Sequence, residues 1–228
     1  MREELSRYLR RDIKLMHKSN NALRIALVHD SLNPCGGAER LTLAMARALK
    51  ELGHSVDLYV IEATDWSRVE KLTSCNRQVV DREYVLPPFK SFPTIYSRLL
   101  HWFGRDVVGH QIVKKHNYDL VMATKQILVP VFADALYMHF PDFLPGFTYL
   151  YYPERYLYNV PLRIYSRPLD LVTRVLVSLF KNTNYKPIIL TNSRFSASII
   201  ERFLDTRAIV LYPPVNIEKY LPLSTTPL

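Results

Sequence analysis

The stretch from Leu23 to Glu62, "LRIALVHDSLNPCGGAERLTLAMARALKELGHSVDLYVIE", constrains the fold more than any other part of the chain. It opens on "LRIALVH", a short apolar run bounded by a turn, which reads as a strand buried on both faces. Two adjacent glycines, Gly36 and Gly37, lead into an amphipathic helix. Its buried stripe is expected at Leu41, Met45, Ala48, Leu49 and Leu52, with Gly53 as the C-terminal cap. "SVDLYVIE" is then a second strand. Strand, glycine loop, helix and strand in this order make a right-handed crossover, the building block of a doubly wound parallel sheet.

The theme repeats downstream. "YDLVMAT" (Tyr118 to Thr124), "ALYMHF" (Ala135 to Phe140), "PIILTN" (Pro187 to Asn192) and "AIVLY" (Ala208 to Tyr212) read as strands. Helical patterns lie between them at Tyr96 to Lys115, Leu169 to Phe180 and Arg194 to Leu204. The expectation is an α/β, Rossmann-like domain over residues 21–228, preceded by a separate helix over residues 1–20. Two segments break the alternation. "REYVLPPFKSFPTIY" reads as an irregular, proline-broken loop, and "HFPDFLPGFTYLYYPERYLYNVPLRIYSRP" is too dense in proline to be regular throughout. Loops of that length are uncommon unless they carry function.

Composition narrows the partners. With 228 residues at 48% hydrophobic content the chain can bury a sizeable core. Its two cysteines, Cys35 and Cys75, form no paired spacing, so neither a disulfide framework nor a zinc site is suggested, and a reducing cytosol is the default. Lys125, Asp134 and Arg174 interrupt the apolar runs that would otherwise approach a bilayer span, and the N-terminus lacks the apolar core of a secretory signal. The formal charge of +9 favours an anionic partner. In residues 1–20, Leu5, Leu9, Ile13 and Met16 recur at helical spacing against Arg7, Arg10, Arg11, Lys14 and Lys18. Such a basic amphipathic helix suits an anionic membrane surface; it equally suits packing on its own domain. No nucleic-acid motif accompanies the charge, so nucleic acid is not an expected partner.

In open parallel sheets the ligand crevice lies beyond the carboxyl ends of the strands, so a glycine loop after the first strand is well placed for binding. Glycine lets backbone approach a ligand closely, and the following helix directs its N–H groups and positive dipole end to that spot, favouring phosphate. The same pair also solves an ordinary tight turn, and the residues alone leave both readings open. "NPCGGAERLTLA" is not G-x-G-x-x-G and no Gly-Lys-Ser/Thr follows, so hydride transfer and P-loop hydrolysis fall away.

"GGAER" after this strand, followed by "ALKELGHSVDLYV", resembles the N-terminal domain of retaining glycosyltransferase family 4, of GT-B fold. The resemblance continues in "ALYMHFPDF", "IILTNSRFSASII" and "VLYPPVNIEKY" and covers residues 21 to 220. It is most similar to the branch of GDP-mannose-dependent enzymes that extend lipid-linked oligosaccharides. The resemblance implies that backbone at Gly36 and Gly37 approaches the donor diphosphate or transferred sugar. It implies that His139 faces the cleft and hydrogen-bonds the donor sugar, a catalytic role, where the residue alone reads as a structural histidine. Glu39 and Arg40 fit the motif, yet Glu39 also suits a helix N-terminus and Arg40 a surface ion pair. Asn192 and Ser193 read first as a helix N-cap. The aromatic segment from Phe140 to Tyr165, with Tyr151, Tyr152 and Arg155 and flanked by Arg163 and Arg167, is a candidate acceptor surface for a phosphorylated polyprenol, or else a lid packed on the sheet.

In that family a second, C-terminal Rossmann domain holds most nucleotide-sugar contacts. No second such pattern is read within these 228 residues, so the expectation is one half of a GT-B enzyme, either an excised half or one whose donor-binding domain a separate subunit supplies, and inactive alone. The expected partners are a nucleotide diphosphate sugar, a lipid-linked or oligosaccharide acceptor, an anionic membrane surface and a separate subunit carrying the second domain. No cofactor and no metal are expected, since no Asp-x-Asp occurs. The expected location is cytoplasmic, peripheral on the inner face of the cell membrane. A non-catalytic acceptor-binding subunit serving a separate catalytic partner is the alternative.

Overall fold

The computed structural model describes residues 22–86, 109–124, 133–139, 160–182 and 186–215. Among the described residues seven strands form a single sheet: β1 (Arg24–Val28), β2 (Ser55–Val60), β3 (Arg82–Val85), β4 (Leu120–Ala123), β5 (Ala135–Met138), β6 (Ile188–Thr191) and β7 (Ala208–Val210). Their order is β3-β2-β1-β4-β5-β6-β7, and every pair is parallel. The α/β, Rossmann-like architecture read from the sequence is thus the architecture observed.

Alternation along the central strands explains why both faces need helices. Ile25 and Leu27 point to one side and pack with Leu43 and Ala46 of helix α1 (Gly37–Glu51) and with Val69 of α2 (Trp66–Thr73). Ala26 and Val28 point to the other and share a second cluster with Val113 of α3 (Gly109–Lys115), Phe180 of α4 (Val160–Asn182) and Ile200 and Leu204 of α5 (Arg194–Leu204). A strand buried on both faces must be apolar where it is covered, which is the pattern "IALV" shows after the exposed Arg24. All six strands expected from the sequence are present, and α5 has the predicted bounds.

Three expectations need correction. β3 lies within the segment read as a loop; it is a four-residue edge strand with charged Arg82 and Glu83, so it shows no apolar run, and Tyr84 supplies its packing by stacking on Tyr59 with ring centroids 4.8 Å apart. Helix α4 begins at Val160, inside the proline-rich segment, and runs through Pro168. Pro161 is tolerated in a first turn, and Pro168 is exposed, where a carbonyl released by its missing N–H can meet water. The buried stripe of α1 is also rotated: Leu41, Thr42, Leu43 and Ala46 are buried, Met45 and Leu49 are half-buried, and Ala48 and Leu52 face solvent. Gly53 does terminate α1, at φ +85°, with its N–H on the carbonyl of Lys50 and that of His54 on Leu49. Of the helix expected from Tyr96 to Lys115, the part from Gly109 is observed and the remainder lies outside the described residues, as do residues 1–20.

Candidate functional site

The strand order places β1 beside β4, although β2 follows β1 in the chain. This is the point where the winding reverses, and in open α/β sheets it opens a crevice beyond the carboxyl ends of the strands. The residues that leave β1, β4 and β5 at that edge are His29, Thr124 and His139.

Beneath the edge lies a polar cluster that the sequence did not disclose. His29 is fully buried. Its Nδ1 meets the hydroxyl of Thr124 at 2.9 Å and that of Thr42 at 3.3 Å. Thr42 Oγ1 lies 2.9 Å from Thr124 Oγ1 and 3.0 Å from the carbonyl of Ala38. On its other side His29 Nε2 faces Glu39 Oε1 at 3.5 Å, long for a hydrogen bond and close enough for attraction. The arrangement suits the tautomer that turns Nε2–H toward the carboxylate and lets Nδ1 accept from a hydroxyl. Glu39 is 6% exposed, so it is no ordinary surface acid at a helix N-terminus. The cluster joins α1 to the ends of β1 and β4 inside the core.

Gly36 and Gly37 lie directly above it, at the start of α1, and both are exposed. Gly36 is the N-cap, with φ −79° and ψ −164° and no side-chain cap. Neither glycine adopts a positive φ; the left-handed residue of this loop is Cys35, at φ +56°. The turn therefore does not demand glycine for its dihedral angles. A Cβ on Gly36 would come within 2.8 Å of Glu39 Oε2, whereas a Cβ on Gly37 meets no described atom within 4 Å. Arg40, expected in a surface ion pair, instead holds carbonyls: Nε donates to Cys35 at 3.2 Å and Nη2 to Leu72 at 2.8 Å. It braces the strained residue of the loop against the end of α2.

His139 follows β5 and is half-buried. Its Nε2 donates to the carbonyl of Thr124 at 3.2 Å, and its ring leans on Tyr137 with centroids 4.8 Å apart. Thr124 thus takes His29 on its hydroxyl and His139 on its carbonyl, and it links the glycine loop to the histidine through the chain Glu39, His29, Thr124, His139. Ser193 is the N-cap of α5, accepting from the N–H of Ser196 at 3.1 Å, while Asn192 Oδ1 accepts from the Ser196 hydroxyl. Tyr151, Tyr152 and Arg155 lie outside the described residues.

A doubly wound parallel sheet with a glycine-bearing helix start beside its switch point defines the class as an α/β, Rossmann-like fold. Comparison with known proteins gives the class a family. The profile of Glycosyltransferase Family 4 matches residues 35–219, and the chain belongs to that family. It is similar to the alpha-1,3/1,6-mannosyltransferase ALG2 of Rhizomucor pusillus, with 23% identity over 223 residues. That alignment takes in 89% of this chain and 43% of the relative, so the chain spans less than half of the relative's length.

Proposed function

We propose that this chain is the acceptor-side domain of a retaining glycosyltransferase. The complete enzyme moves a sugar, mannose, from a nucleotide diphosphate sugar to a lipid-linked or oligosaccharide acceptor. The observation that carries the reading is the open space at Gly37. The loop's dihedral angles would accept another residue there and a Cβ would meet no described atom, so the position leaves room for a ligand to reach the backbone. The first-turn N–H groups of α1 aim at the same place, which suits a phosphate or a sugar hydroxyl. Family membership and the similarity to a mannosyltransferase support transfer chemistry and the choice of sugar.

In this reading the chain's own groups supply binding and orientation. The helix start and the Gly36 and Gly37 backbone hold the donor's developing negative charge as the sugar leaves the diphosphate. His139, fixed by its bond to the Thr124 carbonyl, contacts the donor sugar. The nucleotide is held by a second domain, of which residues 21–228 form the partner half. Tyr151, Tyr152 and Arg155 receive the acceptor. The location that follows is peripheral, on the cytoplasmic face of a membrane, with residues 1–20 contributing basic charge. Among the described residues no helix is long and apolar enough to cross a membrane.

The test is transfer from GDP-mannose by an enzyme assembled from this chain and a donor-binding half of the same family. Gly37→Val and His139→Ala are expected to lower transfer by orders of magnitude with the thermal midpoint unchanged. Full activity of Gly37→Val would leave the loop as a turn and overturn the reading. Tight binding of GDP-mannose by this chain alone, in calorimetric titration, would overturn the division of labour between the halves.

A further inference from the structure

Helix α4 is longer than the sheet it crosses. Its 23 residues rise about 34 Å, whereas the four-residue strands β5 and β6 that it connects each span about 13 Å. Its C-terminal end is anchored: Phe180 is buried in the core, Leu176 and Val177 pack on it, and Lys186, just before β6, donates to the carbonyls of Phe180 and Lys181. Because β5 and β6 are parallel, α4 runs back along the sheet from the edge where β5 ends. The surplus length therefore projects at its N-terminal end, beyond the carboxyl ends of the strands, on the side of the proposed crevice.

Every side chain described between Val160 and Val175 is exposed. Ile164, Leu171 and Val175 are 58%, 65% and 51% exposed and fall on one stripe of the helix. Arg167, Arg174 and Lys181, all exposed and each two turns from the next, form a row beside that stripe. Arg174 and Lys181 also line a shallow groove against Phe203 of α5. In sequence the helix carries four cations, Arg163, Arg167, Arg174 and Lys181, against one acid, Asp170, within a chain of net charge +9. A helix that leaves large apolar side chains in water beside a row of cations has the character of an interfacial helix, whose apolar side enters the acyl boundary while its cations meet anionic headgroups. A protein partner would need acidic residues to match the row and would not explain the projection past the sheet.

We infer that the exposed face of α4 around Ile164, Leu171 and Val175, with Arg174 and Lys181 beside it, is a docking surface for an anionic lipid bilayer. It rests on the reading above for its purpose, which is to hold the mouth of the crevice at the membrane where a lipid-linked acceptor lies. The binding itself is independent of transfer.

The experiment is co-sedimentation of the 228-residue chain with vesicles of phosphatidylcholine alone and of phosphatidylcholine with phosphatidylserine, at low and high salt. Binding is expected to the anionic vesicles and to fall steeply as salt shortens the screening length from about 10 Å at 0.1 M to about 3 Å at 1 M. Arg174→Gln/Lys181→Gln should weaken it about thirtyfold, and Leu171→Ser/Val175→Ser about tenfold or more, with thermal midpoints like the parent because these side chains are exposed. Equal binding to both vesicle types, no binding at low salt, or parental binding by both double variants would overturn the inference. So would loss on deleting residues 1–20 with indifference to the α4 variants. The two readings fail separately: Leu171→Ser/Val175→Ser should retain transfer to a water-soluble acceptor in the assembled enzyme. An assembled enzyme without transfer, whose chain still binds vesicles through α4, would remove the proposed function and leave this surface standing.

Discussion

The carboxylate of Glu39 occupies the place where a side chain on Gly36 would begin, with Oε2 2.8 Å from that position. A buried acid in the first turn of α1 thus crowds the residue that caps the helix. The two glycines differ in surroundings: a Cβ meets this carboxylate at Gly36 and nothing within 4 Å at Gly37. Gly36→Ala must push aside a carboxylate that is already held against His29, and a cost of about 1–3 kcal/mol is expected from overpacking. Gly37→Ala meets nothing and should leave stability unchanged or raise it by up to about 1 kcal/mol through the unfolded state. Urea denaturation of the two variants checks this; equal losses would mean that the loop is crowded at both positions.

The cluster of His29, Thr42 and Thr124 is expected to behave as a unit. Thr124→Val removes the hydroxyl nearest His29 Nδ1 and leaves that buried nitrogen only the more distant Thr42 hydroxyl, at a cost of about 1–3 kcal/mol. Thr42→Val removes the second hydroxyl on the same atom. In a double-mutant cycle on stability the two changes should be coupled by about 0.5–3 kcal/mol, as residues sharing one network are. Additivity would show that each threonine acts alone.

How much of this was legible in the sequence depended on burial. β1, β2, β4, β5 and β6 were readable because a strand covered on both faces must be apolar at nearly every position, and α5 because Ser193 caps it and Ile200 and Leu204 repeat at helical spacing. β3 was not, because an edge strand can be charged and needs little more than Tyr84 against Tyr59. The glycine pair and His139 stood out as a motif. His29, Thr42 and Thr124 did not: His29 and Thr124 are 95 residues apart, and it is the register of β1 on β4 that makes them neighbours.

Helix α1 offers a direct check on the corrected packing. It carries apolar residues on most of its circumference, from Leu41 through Leu52, so spacing alone did not fix which side faces the sheet. Leu52 is 71% exposed and Leu43 is 1% exposed. Leu52→Lys should stay within about 0.5 kcal/mol of the parent, while Leu43→Ala should cost about 2–5 kcal/mol. Gly53→Ala forces a Cβ into a left-handed conformation and should cost about 1 kcal/mol. A large loss at Leu52 with tolerance at Leu43 would restore the phase expected from spacing.

Stability at alkaline pH should be limited by buried tyrosines, Tyr118 and Tyr137 foremost, with Tyr59 also raised by burial. Burial pushes the Tyr118 phenol far above its ordinary value, reinforced by its 2.6 Å bond to Asp57 and its 2.8 Å contact with the Tyr59 hydroxyl. Burial also pushes Tyr137 up to about 12, in a site where its hydroxyl donates to the carbonyl of Leu211. The phenolate is the charged form, so the folded chain keeps protons that an unfolded chain gives up above a pH of about 10. Where the unfolded state binds fewer protons, stability falls as pH rises. Both contributions are therefore fully present below about pH 10, and stability is lost progressively above it, through about 12 for Tyr137. Thermal midpoints should hold level to the ordinary tyrosine range and then decline, with phenolate absorbance from these residues appearing only on unfolding. Tyr118→Phe should lower the midpoint at neutral pH, because Asp57 then keeps only Arg24 at 3.6 Å among the partners described for its carboxylate, and should flatten the alkaline decline. A Tyr118→Phe variant with the parental slope above pH 10 would show that other groups govern the alkaline limit.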